Sequence, residues 1–293
     1  MSAENKLHIE SKIQNSPPHQ REFWQAIHVV LLAISRSPQL REEMILKGGM
    51  LLSLFYHSSR TTKDLDFSAS VVYKNFQLQP FIEMLDQQFL LTSQQLFYGI
   101  ACKIQKYKQE PNPKKQEDPT FPGLKLTVGF ANKSNKVEFK KVQEKRQQTN
   151  FFEIDYSFNE FTYKPETALI SNSSDPLIVY SLTDLVSEKF RSIFQQKVRK
   201  RTRRQDIYDL FYLLSNFRQE LDTLKPPILE TLKKKSEERL KDFPVTQNSL
   251  GDADVIRRSQ QEYPSLETEI DGILPKFSLA YGLIEEYYRS LPW

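Results

Sequence analysis

The sequence has little of several features that mark specialised classes of protein. Its single cysteine, Cys102, excludes an internal disulfide framework. No apolar run approaches the roughly 18 residues that cross a bilayer, and the N-terminal segment mixes acids with bases where a secretory signal has an apolar stretch. Glycine is scarce, with eight residues, yet two of them are adjacent at 48 and 49. We therefore expect a soluble cytoplasmic protein that does not enter a membrane.

The length of 293 residues suits two domains of ordinary size. Residues 1–180 mix the patterns of strands and helices, and residues 181–293 are mainly helical. These patterns predict an α+β fold with a mixed sheet and flanking helices, followed by a helical lobe. The net charge of +4 is small, but bases cluster at Lys133–Arg146, Lys197–Arg204 and Lys233–Lys235. Each run alone is typical of a solvated face.

The predicted elements follow from the spacing of apolar residues. We expect helices at 21–35, 50–55 and 78–91, and strands at 44–46, 64–68, 98–107, 124–130, 136–142 and 151–158. Residues 108–123 are rich in lysine and proline and predict a loop. From Leu182 onward we expect helices, interrupted at Pro226–Pro227 and Phe243–Asp254 and closed by a helix over Leu274–Leu291.

The pattern that carries chemistry runs from Lys47 to Phe67. The pair Gly48-Gly49 lies between a strand and a helix, where the backbone can approach an anionic ligand closely. The strand after it carries Asp64 and Asp66, whose spacing of two places both carboxylates on one face. Two adjacent carboxylates repel each other unless a cation lies between them, and Mg²⁺ takes such oxygen ligands together with substrate phosphates. The pattern predicts a metal site on Asp64 and Asp66.

Two helices of the second lobe contain charges among apolar positions. Lys189 falls in the middle of the apolar stripe of its helix, which favours a phosphate or carboxylate partner. In the next helix the inward arc includes Arg203, with Asp206 at its margin and Asp209 further towards solvent, so Asp206 is favoured over Asp209. The alternative for Arg203 and Asp206 is an ordinary (i, i+3) ion pair.

These segments resemble the nucleotidyltransferases of the AbiEii/AbiGii toxin group, relatives of the polymerase-beta-like superfamily. The glycine turn and Asp64-x-Asp66 match its signature, and the later segments 184–190 and 203–214 match its lysine and aspartate motifs in order and spacing. The resemblance covers roughly residues 44–215. Met50, Thr62 and Gln205 depart from the usual pattern of the group, which bears on the choice of nucleotide base.

A third carboxylate is usual in this superfamily. On a strand over 151–158, Glu153, Asp155 and Ser157 share one face, and the segment around Asp155 resembles the corresponding strand of the family. We therefore select Asp155, with Glu138 as the competing residue.

The resemblance implies transfer of a nucleotide from a nucleoside triphosphate, with Mg²⁺ or Mn²⁺ on Asp64 and Asp66. It implies catalytic roles for Asp64, Asp66, Asp155, Lys189 and Asp206. Nucleotide contacts are expected from Lys47, Gly48, Gly49, Thr62, Lys63 and Arg203. The implied partners are transfer RNA, modified at its acceptor end, and a cognate antitoxin protein. The alternatives are a protein or small-molecule hydroxyl as acceptor, or a nucleotide-binding protein without turnover.

Overall fold

The computed structural model describes residues 5–112, 119–146, 150–170, 173–200, 202–237, 239–241 and 243–293. The chain forms two compact units, each built from several stretches of sequence. The first contains Met1–Tyr56, Lys63–Glu160 and Glu166–Val179, and the second contains His57–Thr62, Phe161–Pro165 and Tyr180–Trp293. The sequence predicts a single boundary at residue 180, which assigns residues 57–62 and 161–165 to the first lobe. In the structure these two segments pack with the helices of the second unit.

The first unit is built on a mixed sheet, as the sequence predicts for an α+β fold. Its described strands are β1 (Lys6–Leu7), β2 (Met44–Lys47), β3 (Leu65–Ala69), β4 (Ile100–Glu110), β5 (Gly123–Asn132), β6 (Phe151–Ser157), β7 (Glu166–Ile170) and β8 (Pro176–Val179). They lie in the order β1-β7-β8-β2-β3-β6-β5-β4. Strand β3 is antiparallel to β2 and parallel to β6, so the strand that follows Asp64 lies inside the sheet. The sequence did not predict β1, β7 or β8.

The two faces of this sheet differ in character. Val128, Ile154 and Tyr156 lie on one face and are at most 1% exposed. Helices α2 (Pro18–Arg36) and α5 (Leu78–Gln95) cover that face, and the Phe81 ring stacks on Tyr156 at 5.2 Å between centroids. Because strand side chains alternate between faces, the polar residues between these core positions point to the opposite side. The predicted charged residues therefore share the face away from the core.

The other helices of the first unit are α1 (Ile9–Asn15), α3 (Pro38–Glu43), α4 (Gly48–Leu54) and α6 (Lys136–Gln143). Those of the second unit are α7 (Leu182–Arg199), α8 (Arg204–Asn216), α9 (Arg218–Thr223), α10 (Lys225–Glu237), α11 (Ala253–Gln260) and α12 (Phe277–Arg289). Short 3-10 turns occupy Tyr73–Asn75, Ser249–Gly251 and Tyr263–Thr268. Among the described residues, no helix combines the length and apolarity needed to cross a membrane.

Three local predictions were wrong. Residues 136–142 form helix α6 instead of a strand, because Asn135 caps its first turn and Val142 is fully buried. Pro226 and Pro227 begin helix α10 instead of interrupting one, since the first turn of a helix has amides without intrahelical partners. The loop predicted for 108–123 begins later, because β4 extends to Glu110; residues 113–118 lie outside the described residues.

A buried ion pair fixes the start of α7 in the second unit. The Asp184 carboxylate is fully buried and accepts hydrogen bonds from the backbone N–H groups of Tyr163 and Lys164, at 2.9 and 3.3 Å. Lys235 of α10 lies 3.1 Å from the same carboxylate. A buried carboxylate stays ionised only with such partners, so these contacts hold α7, and with it Lys189, against the rest of the unit.

The buried imidazole of His28 in α2 should make the stability of the protein depend on pH. Burial, together with the nearby Arg36 charge, lowers the pKa of His28 from 6.5 to about 4. Because the folded-state pKa lies below the unfolded one, stability is present above pH 6.5 and is lost as the pH falls towards 4. The free energy of unfolding should drop by about 3 kcal/mol more in the natural protein than in a His28→Gln variant over that range.

Urea unfolding at pH 7 and at pH 4 measures this difference. The matched control is His19→Gln, an exposed histidine in the same helix, which should retain the pH dependence of the natural protein. An equal drop in the natural protein and the His28→Gln variant would contradict the assignment.

Candidate active site

Charged side chains form a row across four strands of the first unit. Asp66 of β3 lies directly opposite Asp155 of β6 in the parallel ladder. Lys47 of β2 is the cross-strand neighbour of Asp66, and Lys125 of β5 is that of Asp155. Asp64 directly precedes β3 and lies close enough to Asp155 for the two charges to interact. The structure thus brings together three of the predicted carboxylates, Asp64, Asp66 and Asp155.

The turn after β2 presses directly against this row. Gly48 has a φ of +71°, and a Cβ atom placed on it would lie 2.2 Å from Asp66 Oδ2. An alanine side chain would therefore be strained by the backbone and would also collide with the carboxylate. Gly48 and Gly49 begin helix α4, so this contact places the first turn of that helix beside Asp66. The structure therefore shows close approach of the turn to Asp66, and the predicted approach of its backbone to an anionic ligand stays a prediction.

The carboxylates of the row crowd one another. Burial raises the pKa of Asp64, and the charges of Asp155 and Glu153 raise it further. Burial also raises the pKa of Asp155, against the opposing charge of Lys125. Lys125 Nζ lies 2.8 Å from Glu153 and 3.4 Å from Asp155, and its hydrogen bond to Glu153 raises the pKa of the lysine. Negative charge exceeds positive charge here, which favours binding of a cation.

Lys125 is a member of the row that sequence reasoning missed. Its signal in the sequence was weak, because one lysine between the buried residues Leu124 and Leu126 is the ordinary alternation of a half-exposed strand. Glu138, the competitor for the third carboxylate, does not lie on a strand as the sequence predicted. It lies in helix α6 and pairs with Lys141 at 2.6 Å, so it is not on the strand that the choice required.

Lys47 is buried on a carboxylate that the sequence did not single out. Its ammonium group pairs with Glu160, which also accepts a hydrogen bond from Ser68 at 2.8 Å. Lys47 is only 5% exposed. The structure thus gives Lys47 a partner inside the protein, whereas the sequence interpretation assigned it to a triphosphate. Glu160 follows the end of β6 by three residues, and no local pattern distinguishes it there.

A second charged cluster lies in the helical unit, around Lys189 of α7. The Lys189 ammonium is 3.0 Å from Asp206 and 2.6 Å from Asp209, both on α8. Arg60 makes a two-pronged contact with Asp209, through Nε at 2.7 Å and a terminal nitrogen at 2.9 Å. The structure confirms that Lys189 needs a carboxylate partner, and it adds Arg60, which the sequence analysis did not select.

Asp209 does not point towards solvent as the helical arc predicted. Its side chain is 1% exposed, against 13% for Asp206. The inward face of α8 was predicted from its apolar residues alone. A carboxylate can also lie on that face when two cations neutralise its charge. Burial would raise the pKa of Asp209, but Arg60 and Lys189 more than offset this and lower it. Burial would likewise lower the pKa of Lys189, and the two aspartates reverse that shift.

Asp206 differs from Asp209 in one respect. Its Oδ2 atom is buried and has no hydrogen-bond partner among the described residues, while its Oδ1 accepts from Lys189. The (i, i+3) pairing with Arg203 is therefore not the arrangement that forms. Arg203 precedes the first residue of α8, and its backbone N–H donates to Gln196 Oε1 at 2.7 Å.

The two remaining predicted nucleotide contacts, Thr62 and Lys63, directly precede Asp64 in the sequence. Thr62 belongs to the second unit and Lys63 to the first. Lys63 is exposed, and its charge opposes the rise in the pKa of Asp64. Among the described residues, no three His, Cys, Asp or Glu side chains converge closely enough to enclose a metal ion by themselves.

The glycine turn packed against Asp66, beside Asp155, fits the family resemblance seen in the sequence, and comparison with known proteins agrees with that resemblance. The family described as nucleotidyl transferase AbiEii toxin, type IV TA system, matches residues 30–283. The chain belongs to this family and is a nucleotidyltransferase. A toxin–antitoxin family of this type implies an antitoxin as partner. No curated protein matches the sequence.

Solved structures with a similar fold include one that is described as a nucleotidyltransferase toxin. MenT4, a nucleotidyltransferase toxin from Mycobacterium tuberculosis H37Rv, is 13% identical, with 96% of this chain and 87% of that chain covered at a TM-score of 0.52. JHP933 from Helicobacter pylori is also 13% identical, with 93% of both chains covered at a TM-score of 0.49. At this identity the MenT4 likeness shows the fold alone.

The contact between Gly48 and Asp66 makes a testable prediction. Gly48→Ala should abolish most of the transferase activity, because its methyl group displaces the Asp66 carboxylate. The matched control is Gly99→Ala, which has nearly the same φ of +70° but whose added Cβ would meet its nearest atom at 3.5 Å. Both variants should lose about 1–2 kcal/mol of stability from backbone strain.

Thermal unfolding and single-turnover transfer assays of the two proteins separate strain from site damage. Similar unfolding with activity lost only in Gly48→Ala is the expected result. Equal activity in the two variants would show that the Asp66 carboxylate does not need the space left by the missing side chain at position 48.

In the buried cluster around Lys189, we expect Asp209 to be structural and Asp206 to be a candidate site residue. Asp209→Asn leaves Arg60 and Lys189 without a full counter-charge and should cost about 3–5 kcal/mol of stability. Asp206→Asn should cost less than about 1.5 kcal/mol, because this carboxylate has one protein partner and is partly exposed. If Asp206 belongs to the site, its variant loses transfer while it remains folded. Urea unfolding and transfer rates measure both effects, and an unfolding cost at Asp206 equal to that at Asp209 would refute the distinction.

Proposed function

We propose that this nucleotidyltransferase moves a nucleotide from a nucleoside triphosphate to the acceptor end of transfer RNA in a reaction that depends on Mg²⁺. The observation that carries the proposal is the pairing of Asp66 with Asp155, with Asp64 close to them and Gly48 packed against Asp66. Such an arrangement concentrates negative charge beside a turn that has no side chain in the way. A bound cation and a phosphate chain are the ligands that fit both features.

The residues present fit a magnesium ion. Asp64 and Asp66 offer hard carboxylate oxygens, and Mg²⁺ typically combines one or two carboxylates with waters and substrate phosphates. Full enclosure by protein side chains is not required for such a site. Mn²⁺ accepts the same donors. The ion, when bound, neutralises charge on the phosphates during transfer.

The triphosphate contacts in this proposal come mostly from the backbone. The first turn of α4 offers the free N–H groups of Gly48 and Gly49, and the absent side chain at Gly48 leaves the approach open. Lys63 adds an exposed positive charge beside Asp64. Thr62, Lys47 and Arg203 are proposed as further contacts on the basis of the family resemblance. Lys47 would have to contact phosphate while it remains paired with Glu160.

Asp155 is proposed to take the proton of the acceptor hydroxyl. Its raised pKa makes it a better proton acceptor than an ordinary aspartate, and Lys125 keeps its ionised form accessible. The acceptor oxygen then forms a bond to the α-phosphorus, and the bond from that phosphorus to the bridging oxygen breaks. Pyrophosphate leaves with the electron pair, and the nucleotide stays on the acceptor.

Lys189 is proposed to stabilise phosphate charge, with Asp206 orienting it. Its partners hold the ammonium charged, since Asp206 and Asp209 overcome the effect of burial on the pKa. The transfer RNA acceptor and a specific antitoxin are proposed from the resemblance stated above.

The test incubates the purified protein with total transfer RNA, Mg²⁺ and each labelled nucleoside triphosphate in turn. A double variant, Asp64→Ala with Asp66→Ala, should lose transfer by more than about a hundredfold, as expected when metal-supported charge stabilisation is removed. The matched control is Asp175→Ala, a carboxylate of the same unit in the turn before β8, which should transfer at the natural rate. Omission of Mg²⁺ should abolish label on the natural protein's product.

Each outcome decides one part of the proposal. Label on RNA that is lost in the double variant supports the reaction and the acceptor. Label on protein or on a small molecule keeps the chemistry and refutes the RNA acceptor. Undiminished transfer in the double variant, or in the presence of a chelator, refutes the role of the aspartates and of the metal.

A further inference from the structure

The positive charge of the chain is concentrated in one part of the first unit. Strand β4 and residues 132–146 contain nine bases against three acids, an excess of six, whereas the whole chain has an excess of four. The remaining residues therefore carry a net negative charge. The bases of this part, here called the basic surface, are Lys103, Lys106, Lys108, Lys133, Lys136, Lys140, Lys141, Lys145 and Arg146.

The strand lysines of the basic surface lie on the same face of the sheet as the carboxylates. Lys108 of β4 is the cross-strand neighbour of Lys125, which in turn faces Asp155. Lys106 pairs with Thr127, two positions along, and so points to the same side. Strand β4 is the edge of the sheet, so this face is open beyond it. A row of positive charge thus leads from the sheet edge to the carboxylates.

Helix α6 extends this surface on the same side. Lys103 lies opposite Gly129, in register with the charged face, and its ammonium donates to the carbonyl of Gln143 at 3.0 Å. Gln105 of the same strand donates to the carbonyl of Val142 at 3.1 Å. These contacts seat the end of α6 beside the row. Acids neutralise part of this surface: Glu138 pairs with Lys141, Glu144 with Lys140 and Arg146, Glu110 with Lys108, and Asp86 with Lys145. Lys106 and Lys136 are exposed.

An exposed aromatic ring stands on the same face. Phe151 begins β6, lies opposite Gly129 and is 53% exposed. It precedes Asp155 by four positions, so the two are about 13 Å apart along the strand. A large exposed aromatic is unfavourable in water unless a ligand covers it, and aromatic rings beside a basic groove are stacking platforms for unpaired bases.

Acids also neutralise part of a second basic run, Lys197–Arg204. Lys197 lies 2.7 Å from Asp252, and Arg204 lies 2.7 Å from Glu269 and 3.6 Å from Glu262. This run belongs to the second unit, whereas the basic surface shares the first unit with the carboxylates. Arg201 of that run lies outside the described residues.

We propose that the basic surface binds the backbone of the acceptor RNA, and that Phe151 stacks on an unpaired base near its reacting end. This proposal rests on the proposed function, since it locates the acceptor of that reaction. Nucleic acid fits better than an acidic protein, because the surface combines excess positive charge with an aromatic platform and leads to the carboxylates. Lysines at a sheet edge also prevent edge pairing, but that role predicts no effect on RNA binding.

The test measures the binding of labelled transfer RNA by fluorescence anisotropy at several salt concentrations. A triple variant, Lys106→Gln, Lys136→Gln and Lys140→Gln, should raise Kd about tenfold or more and lower the slope of log K against log salt by about two. Phe151→Ala should raise Kd at least about fivefold. Nucleotide binding and thermal unfolding should stay unchanged in both variants, because the altered side chains are exposed.

Two matched controls address the position of the surface. Lys6→Gln removes a lysine at the opposite edge of the same sheet, on β1. Tyr107→Ala removes a half-exposed ring of β4 that faces Leu126 and so lies on the other face. Both should bind RNA as the natural protein does.

The outcomes distinguish this proposal from the proposed function on which it rests. Labelling of RNA by the natural protein, with unchanged Kd in the triple and Phe151→Ala variants, refutes the surface and leaves the proposed function standing. Equal losses in the two controls also refute it. A natural protein that neither binds nor labels RNA overturns both proposals. Tighter binding of polyglutamate than of RNA, lost in the triple variant, would assign the surface to an acidic protein instead.

Discussion

Mutual repulsion among carboxylates on two central strands is the constraint around which the first unit is arranged. Parallel pairing of β3 with β6 puts Asp66 directly beside Asp155, and Asp64 lies close to them. Water reaches Asp64 and Asp155 and screens these charges in part, yet each ionised aspartate still disfavours ionisation of its neighbours. The surrounding residues reduce this cost without removing it. Lys125 compensates one side, while Gly48 takes up so little space that the Asp66 carboxylate can remain in place.

The charged cluster of the second unit shows the opposite balance. Arg60 and Lys189 meet Asp209 directly, and Asp206 supplies a second negative charge. Two cations and two anions cancel, so burial of the group is tolerated and the cluster gains rigidity. An enzyme needs both kinds of arrangement. A balanced cluster holds helices together, whereas an unbalanced one retains affinity for a charged ligand.

Sequence patterns predicted the elements whose signal is local. The helix over 21–35, the strands around Asp66 and Asp155, and the partner requirement of Lys189 all follow from periodicity and are found in the structure. Residues paired across long separations carried no such signal. Arg60 meets Asp209 across 149 positions and Lys47 meets Glu160 across 113. The same limit explains why Asp209 was wrongly predicted to face solvent. The predicted inner face of the helix was derived from apolar residues alone, and it could not include a carboxylate that cations distant in sequence neutralise.

Two buried cations with unpredicted partners, Arg60 and Lys47, both lie close to candidate site residues in the sequence. Arg60 lies four residues before Asp64 in the chain, yet its guanidinium is committed to the helical unit, and Lys47 lies directly before Gly48 while its ammonium is committed to Glu160. The glycine turn is thus tied down by an adjacent buried ion pair of its own unit, and the Arg60 segment by a buried ion pair within the helical unit. Such a pair contributes little net stability, but it fixes backbone position, which a turn needs if it is to present its amides accurately. The Lys47–Glu160 pair therefore fixes the chain next to Gly48, a role that is compatible with the phosphate contact proposed for Lys47.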